Sequence, residues 1–173
     1  MLLGADGGQW FAYDKLHLTE FESDTIGLVP GSSLGLTSLD DVSLGVATCF
    51  DVYFPEYFSA LSHQSIDLLF SPSYQRSESP ERLRCISQTR AVDNDCWFVR
   101  SSYAIADSET GGHSMIVAPD GEIVVDANHE PGVIRATIDP KRKFIKPRSH
   151  GRPDIEHGQL ISRHRRPDVY RMN

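Results

Sequence analysis

The chain has few cysteines and lacks the spacings typical of a metal site. Its 173 residues include only Cys49, Cys85 and Cys96, with no Cys-x-x-Cys and no His-x-x-x-His pair. We therefore predict reduced thiols without a disulfide framework, no structural metal and no cofactor. The first residues show no basic region followed by an apolar run, so we expect no export signal and a cytoplasmic protein.

Long apolar runs and an excess of positive charge are also absent. No apolar run approaches the length that crosses a bilayer, so we predict no membrane partner. The net charge is -7, which argues against nucleic acid as the main partner. Hydrophobic residues make up 39% of the chain and charged residues 24%, a composition typical of a soluble, globular domain.

Hydrophobic periodicity and turn residues predict an α/β fold. The predicted strands are Gln9 to Tyr13, Val42 to Thr48, Ile66 to Phe70, Cys96 to Ser102 and Gly132 to Ile138. Helices are predicted from Pro55 to about Gln64 and over Pro80 to Asn94, with a β-hairpin over residues 113–126 and a loop over 19–41. Strands that alternate with helices indicate parallel pairing in the middle of the chain.

The composition changes after Asp139. Residues 141–173 are basic, punctuated by proline and poor in core-forming side chains. We predict a domain over residues 1–140, followed by an extended tail over 141–173 that docks on another surface. Apolar residues such as Leu160, Ile161, Val169 and Tyr170 would anchor the tail.

Cys49 stands at the end of the strongest predicted strand. The carboxyl ends of such strands are where α/β folds carry their chemistry. Lys15, in the segment Tyr-Asp-Lys-Leu-His-Leu, is a candidate cationic partner for this thiol. A lone cysteine is more often a small buried hydrophobe, but the two segments together favour a nucleophile.

Several short motifs occur in an order that resembles the carbon–nitrogen hydrolase (nitrilase) superfamily. They are Tyr-Asp-Lys-Leu-His-Leu at 13–18, Pro-Gly at 30–31, Cys-Phe-Asp at 49–51, Phe-Pro-Glu at 54–56, Thr-Arg-Ala-Val-Asp-Asn at 89–94, Gly-His-Ser-Met at 112–115 and Arg-Arg-Pro-Asp-Val-Tyr at 165–170. Each motif alone is weak, but their shared order covers nearly the whole chain. The resemblance implies an α-β-β-α sandwich, here incomplete at its N-terminus, and a Glu-Lys-Cys catalytic set.

The resemblance implies roles for individual residues. Cys49 matches the nucleophile, Lys15 the catalytic lysine and Glu22 a supporting glutamate, with Glu20 as the other candidate for that position. The backbone N–H of Phe50 is the expected second oxyanion donor beside Lys15. Taken singly, Lys15 could instead be the solvent face of a strand, and Glu22 an ordinary loop carboxylate.

Other titratable residues are open to more than one interpretation. His17 could be a general base, but we favour a structural role. Asp51 and Glu56 could be catalytic acids, although Glu56 is more simply explained as a carboxylate in a first helical turn. Cys85 and Cys96 are predicted to be core thiols.

The sequence departs from the family pattern at two places that matter for chemistry. The family's general-base glutamate precedes the lysine motif, where this sequence has only Asp6 as an acidic residue. Tyr53 stands where many amidase-like relatives carry arginine. We therefore expect a fragment, a misplaced start or a shortened relative.

We predict a hydrolase of non-peptide C–N bonds that acts on a small amide or carbamoyl substrate through a Cys49 thioester. The alternatives are a catalytically inactive nitrilase-fold subunit and a cysteine peptidase using Cys49 and His17. The resemblance also implies a homodimer or larger homo-oligomer, with the tail laid on the partner subunit.

Overall fold

A computed structural model describes residues 1–104 and 110–170, and its centre is one mixed sheet of six strands. In chain order they are β3 (Gly35–Leu39), β4 (Val42–Val46), β5 (Leu68–Ser73), β6 (Trp97–Ser102), β7 (Met115–Val117) and β8 (Ile123–Asp126). Each pairs with the next, and β4, β5 and β6 are parallel while the other pairs are antiparallel. The predicted α/β class, the parallel centre and the hairpin are confirmed.

Two helices cover one face of this sheet. Helix α1 spans Pro55–Ser62, and α2 spans Pro80–Asn94 with the Ser79 side chain accepting from the N–H of Arg82 at its start. Proline at the first helical position and a serine N-cap are strong start signals, which is why both helices were predictable. The buried core between sheet and helices includes Ala47, Phe58, Leu61, Leu69, Ala91, Phe98, Met115 and Val117.

The remaining elements are small and lie at the ends of the chain. Strands β1 (Leu2–Leu3) and β2 (Gln9–Phe11) form an antiparallel pair, as do β9 (Ile145–Lys146) and β10 (Ile155–Glu156). Helix α3 spans His157–His164. Within the described ranges, no helix is both long enough and apolar enough to span a bilayer.

Two predictions about elements were wrong. Residues 19–41 are not all loop, because Phe21–Ile26 forms a π-helical turn and β3 pairs with β4. Asp40 takes a left-handed conformation (φ 51°) in the tight turn between those strands. The hairpin was not predicted, because the segment that forms β3 is polar and contains glycine. Residues 132–138 alternate in burial but form no strand, because none of the described strands pairs with them.

The third correction concerns Cys85, which lies on the outer side of α2 and is exposed rather than in the core. An amphipathic helix buries only one face, and Leu83 and Ser87 occupy it here. Cys96 is fully buried, as predicted. Burial raises the pKa of its thiol, so the Cys96 side chain stays protonated at neutral pH.

The segment after residue 140 packs on its own domain and is not extended throughout. Lys141 and Lys143 pair with the buried carboxylate of Asp67 at 2.7 Å and 3.1 Å. Asp95 accepts the backbone N–H groups of Phe144 at 2.7 Å and Gly158 at 2.9 Å. Residues 171–173, the end of the predicted tail, lie outside the described residues.

Candidate active site

The loop that follows β4 carries Cys49 in a strained conformation. Cys49 begins a 3-10 helix (Cys49–Tyr53) with φ at 51°, in the left-handed region that non-glycine residues seldom occupy. The N–H of Phe50 is in the first turn of this helix, where N–H groups have no acceptor within the helix. Such strain is often found where a fold presents a reactive side chain.

Asp51 holds this loop to the segment that carries Lys15. The Asp51 carboxylate is fully buried and accepts from the Tyr13 hydroxyl at 2.9 Å and the Thr48 N–H at 2.8 Å. It also accepts from the backbone N–H of His17 at 3.0 Å and lies 2.9 Å from His17 Nδ1. Asp51 therefore clamps two loops together, a structural role that uses all of its acceptor capacity.

The contacts of His17 and the position of Glu56 favour structural roles for both residues. The His17 ring stacks on Phe54 with centroids 3.7 Å apart, and its Nδ1 atom contacts the Asp51 carboxylate. This agrees with the structural role that we favoured. Glu56 is exposed in the first turn of α1.

Lys15 and Glu22 form a close ion pair, whereas no contact joins Lys15 to Glu20. The distances from Lys15 Nζ to the Glu22 carboxylate oxygens are 2.7 Å and 2.5 Å. The N–H and hydroxyl of Thr19 donate to Glu22 Oε2 at 2.7 Å and 2.9 Å. Burial would raise the pKa of Glu22, but the hydrogen bonds from Lys15 and Thr19 outweigh it and hold that pKa below its ordinary value.

The backbone of Lys15 is fixed as well as its side chain. Its carbonyl accepts the N–H of Gly31 at 2.9 Å. A Cβ on Gly31 would lie 2.2 Å from the carbonyl oxygen of Asp14, so only glycine allows this close approach. The Pro-Gly motif thus holds the lysine loop against the rest of the site.

Lys15, Glu22 and Cys49 line a single half-open cleft of about 770 Å³. Its other lining residues include Phe21, Ile26, Pro72, Ser73, Tyr74 and Arg76. Phe21, Ile26 and Tyr74 are exposed apolar side chains, and Arg76 is an exposed cation. The cleft therefore offers a thiol, a lysine and a rim arginine to a small polar molecule with an apolar part.

A second set of polar residues, of which the sequence analysis singled out only Tyr53, lies near Cys49. Tyr53 donates to Glu78 at 2.5 Å and accepts from the Gln75 amide at 3.1 Å. Gln75 in turn accepts from the buried guanidinium of Arg100 at 3.2 Å. An arginine inside an otherwise apolar strand pattern was the signal that could have identified Arg100.

Metal-binding groups are not apparent at this cleft. In the part of the chain that the structure describes, no group of three or more His, Cys, Asp or Glu side chains is placed to hold a metal ion.

Comparison with known proteins agrees with this geometry. A family model described as carbon-nitrogen hydrolase matches residues 1–143. The chain belongs to the carbon–nitrogen hydrolase family. Because that match contains both the lysine segment and the Cys49 loop, the site described above lies within the family region.

Three curated relatives of this family member are named as amidases. A deaminated glutathione amidase of Synechocystis is 31% identical over 181 residues, covering 92% of this chain and 63% of that protein. A 2-oxoglutaramate amidase of Bacillus subtilis is 28% identical, covering 73% of this chain and 50% of that protein. Omega-amidase NIT2 of Danio rerio is 27% identical, covering 99% of this chain and 63% of that protein. The chain thus spans between half and just under two thirds of the length of these relatives.

The fold is that of the nitrilase superfamily. The crystal structure of Saccharomyces cerevisiae Nit3, a member of branch 10 of that superfamily, is 26% identical with a TM-score of 0.60, covering 72% of this chain and 46% of that one. A superfamily protein from Xanthomonas campestris, 17% identical, gives the same TM-score and covers 73% of this chain and 51% of that one. The mixed sheet with its helical layer is the part of the fold that the described residues supply.

Proposed function

We propose that this protein hydrolyses a C–N bond of a small amide or carbamoyl substrate through a thioester on Cys49. The observation that carries this proposal is the shared cleft of Lys15, Glu22 and Cys49. The amidase names of relatives that match most of the chain support a hydrolase over an inactive assembly subunit.

In the proposed reaction, the Cys49 thiolate attacks the carbonyl carbon and a C–S bond forms. The negative charge moves to the carbonyl oxygen, where Lys15 and the Phe50 N–H would stabilise it. The C–N bond then breaks, and the amine leaves with the proton that the Cys49 thiol gave up. Water attacks the thioester, releases the acid and returns the thiol.

The proton transfers need an acceptor other than Glu22. Glu22 is the one carboxylate among the described residues that line the cleft. Because its pKa is held low by Lys15 and Thr19, it is a weak proton acceptor for a thiol. We propose that Glu22 orients Lys15 and keeps it charged, and we expect the 173-residue chain alone to turn over amides slowly.

We further propose that Arg76 selects substrates that carry a carboxylate. The name of one relative, 2-oxoglutaramate amidase, points to the amide of an oxo-acid. Arg76 lies at the cleft rim, where a guanidinium can bind a carboxylate in a bidentate manner. Carboxylate-bearing amides such as 2-oxoglutaramate are therefore the first substrates to assay.

The nucleophile can be tested separately from amide turnover. A p-nitrophenyl ester acylates a thiolate without a general acid, because its leaving group needs no proton. We expect a burst of one nitrophenolate per wild-type chain and an acyl adduct on the Cys49 peptide by mass spectrometry. Cys49→Ala should abolish the burst, and Cys49→Ser should nearly abolish it, since a hydroxyl is far less acidic than a thiol.

Cys85→Ser is the matched control, because Cys85 is exposed and could also be acylated. It should leave the burst unchanged. Ammonia release from small amides would then be measured for the same variants. Retention of the burst, or of any amide hydrolysis, in Cys49→Ala would contradict the thioester mechanism.

A further inference from the structure

Arg100 is a buried cation with an unusual set of partners. It lies on β6 with 2% of its surface exposed. Its guanidinium donates to the carbonyl oxygens of Gly112 at 2.9 Å and His113 at 3.3 Å, and to the Gln75 side chain at 3.2 Å. All of these acceptors are neutral. Among the described residues, no carboxylate lies within ion-pair distance of Arg100.

A buried charge without an opposite charge is costly, so this arrangement needs an explanation. Two other buried charges of the described chain have oppositely charged partners. Arg90 donates to Asp93 at 3.3 Å, and Asp67 accepts from two lysines. Among the described residues, Arg100 is thus a buried cation without a salt-bridge partner.

The position of Arg100 relates it to the Cys49 loop. Arg100 is in register with Ser71 on β5, near the end of the sheet where β4 leads into the Cys49 loop. Its partner Gln75 donates to Tyr53, which ends the 3-10 helix that begins at Cys49. Hydrogen bonds thus join Arg100 to the helix that carries the thiol.

The electrostatics agree with this geometry. Burial lowers the pKa of Arg100 to about 10, and Cys49, Tyr53 and Asp126 partly offset that effect. An arginine with this pKa still carries its charge at neutral pH. Burial and Glu78 raise the pKa of Tyr53 to about 12, so its hydroxyl stays protonated.

The cations that face Cys49 from the cleft differ from Arg100, because their positive charge is either paired or screened. Lys15 keeps its charge, but the carboxylate of Glu22 partly offsets it in a close ion pair. Arg76 is exposed at the rim, where water and salt screen its charge. Behind the loop, Glu78 pairs with Arg82 and Asp126 with Arg84 and His113.

We propose that Arg100 is the buried counter-cation of the Cys49 thiolate, acting from behind the nucleophile while Lys15 acts from the cleft. Arg100 does not touch the substrate, so it is a positioning residue that acts through the charge of Cys49. This role rests on the proposed function of Cys49 as a nucleophile. Its physical basis is that a buried, unpaired guanidinium favours an anion at the nearby sulfur.

The test is the pH dependence of Cys49 alkylation by iodoacetamide, followed on the Cys49 peptide by mass spectrometry so that Cys85 does not interfere. Arg100→Gln should move the midpoint up by about one to two pH units, and slow alkylation at pH 7 by about tenfold or more. The limiting rate at high pH should be retained. Arg100→Lys should restore most of the wild-type profile.

Arg90→Gln is a matched control, because Arg90 is also largely buried and donates to the carbonyl of Val52 in the same 3-10 helix. It should lower the melting temperature without moving the midpoint. An equal shift in Arg90→Gln, or no shift in Arg100→Gln, would overturn the proposal. If Arg100→Gln fails to fold, Gln75→Leu should give a smaller shift in the same direction, and no shift there would count against it.

This measurement is independent of turnover. A chain that alkylates with the predicted profile but hydrolyses no amide or ester would contradict the proposed hydrolase and leave the Arg100 role intact. If the wild-type chain hydrolyses amides but Arg100→Gln leaves the pH profile of Cys49 alkylation unchanged, the proposed hydrolase stands and the Arg100 role is contradicted.

Discussion

At the residue scale, Lys15 is the side chain whose role is most sharply testable. Its side chain is 12% exposed, its ammonium group is paired with Glu22, and it lies 5.9 Å from the centroid of the Phe50 ring. A lysine held this firmly beside a thiol differs from a lysine on the solvent face of a strand, which was the alternative interpretation. Its contribution should therefore appear in the rate more than in stability.

We predict that Lys15→Ala lowers kcat/KM by about 10²–10³-fold, because one partner of the developing oxyanion is lost. The ester burst rate and amide hydrolysis would both be measured, beside a thermal melt. Lys146→Ala is the control, since Lys146 is exposed on β9 and should change stability by less than about 0.5 kcal/mol. Equal rates for the two variants would show that Lys15 is an ordinary surface lysine.

Asp51 is the second residue at this scale, and its prediction concerns stability. Asp51→Asn replaces one acceptor oxygen with an amide that faces the donors of Tyr13, His17 and Thr48. We expect a loss of at least about 2 kcal/mol in the free energy of unfolding, measured by urea denaturation. Glu56→Gln, on the exposed first turn of α1, should cost less than about 1 kcal/mol. A loss of activity in Asp51→Asn without a loss of stability would instead indicate a catalytic acid.

At the scale of elements, the loops that carry the site are held by neighbours distant in sequence. The segment after residue 140 is an example, because Lys141 and Lys143 reach back to Asp67 at the start of β5. Burial would raise the pKa of Asp67, but hydrogen bonds from Lys141, the Ser43 N–H and Lys143 outweigh it and lower that pKa. The Asp67 carboxylate therefore stabilises the fold only while it is ionised.

A lowered pKa in the folded state means that this stabilisation is fully present above the unfolded value of 3.8 and is lost as pH falls through the lower folded value. We predict that Asp67→Asn lowers the melting temperature at pH 7, and that the difference from wild type shrinks as the pH falls below about 4. Asp41→Asn, at an exposed turn, is the control and should show no such convergence. A constant difference between pH 7 and pH 3 would rule out the ion pairs as the cause.

At the scale of the whole molecule, apolar surface remains after the chain has folded. The sheet face opposite the helices presents Val46, Phe70, Val99 and Ile116, all only partly buried. Near the end of the described chain, Val169 and Tyr170 are 62% and 61% exposed. Exposed apolar groups of this kind favour association, and we propose that the protein is a homodimer or larger homo-oligomer.

We predict that deleting residues 155–173 shifts the protein from a dimer or larger oligomer to monomer or aggregate, as measured by light scattering. Since helix α3 also anchors to its own domain through Gly158 and Arg165, point variants separate the two effects. Val169→Ser combined with Tyr170→Ser should weaken association, whereas Arg165→Ala should lower only the melting temperature. An unchanged, monodisperse mass after the deletion would contradict a tail-mediated interface.

Much of the fold was predictable because its signals are local. Proline at the start of α1, the serine cap of α2 and the apolar strands β4, β5 and β6 are properties of a few adjacent residues. Strand β3 was missed, because a polar, glycine-containing segment becomes a strand only when a neighbour accepts its hydrogen bonds. The strand predicted over residues 132–138 was wrong for the opposite reason: the segment has an alternating pattern, but none of the described strands pairs with it.

The sequence by itself determined the α/β class, the family and the residue types of the candidate site, because motif order and hydrophobic periodicity are written along the chain. Only the tertiary structure decided that Glu22 rather than Glu20 contacts Lys15, that Asp51 is a buried clamp, and that the buried Arg100 donates to Gln75. These facts depend on distances between residues far apart in sequence. Such distances follow from sheet register and loop closure, which no local pattern encodes.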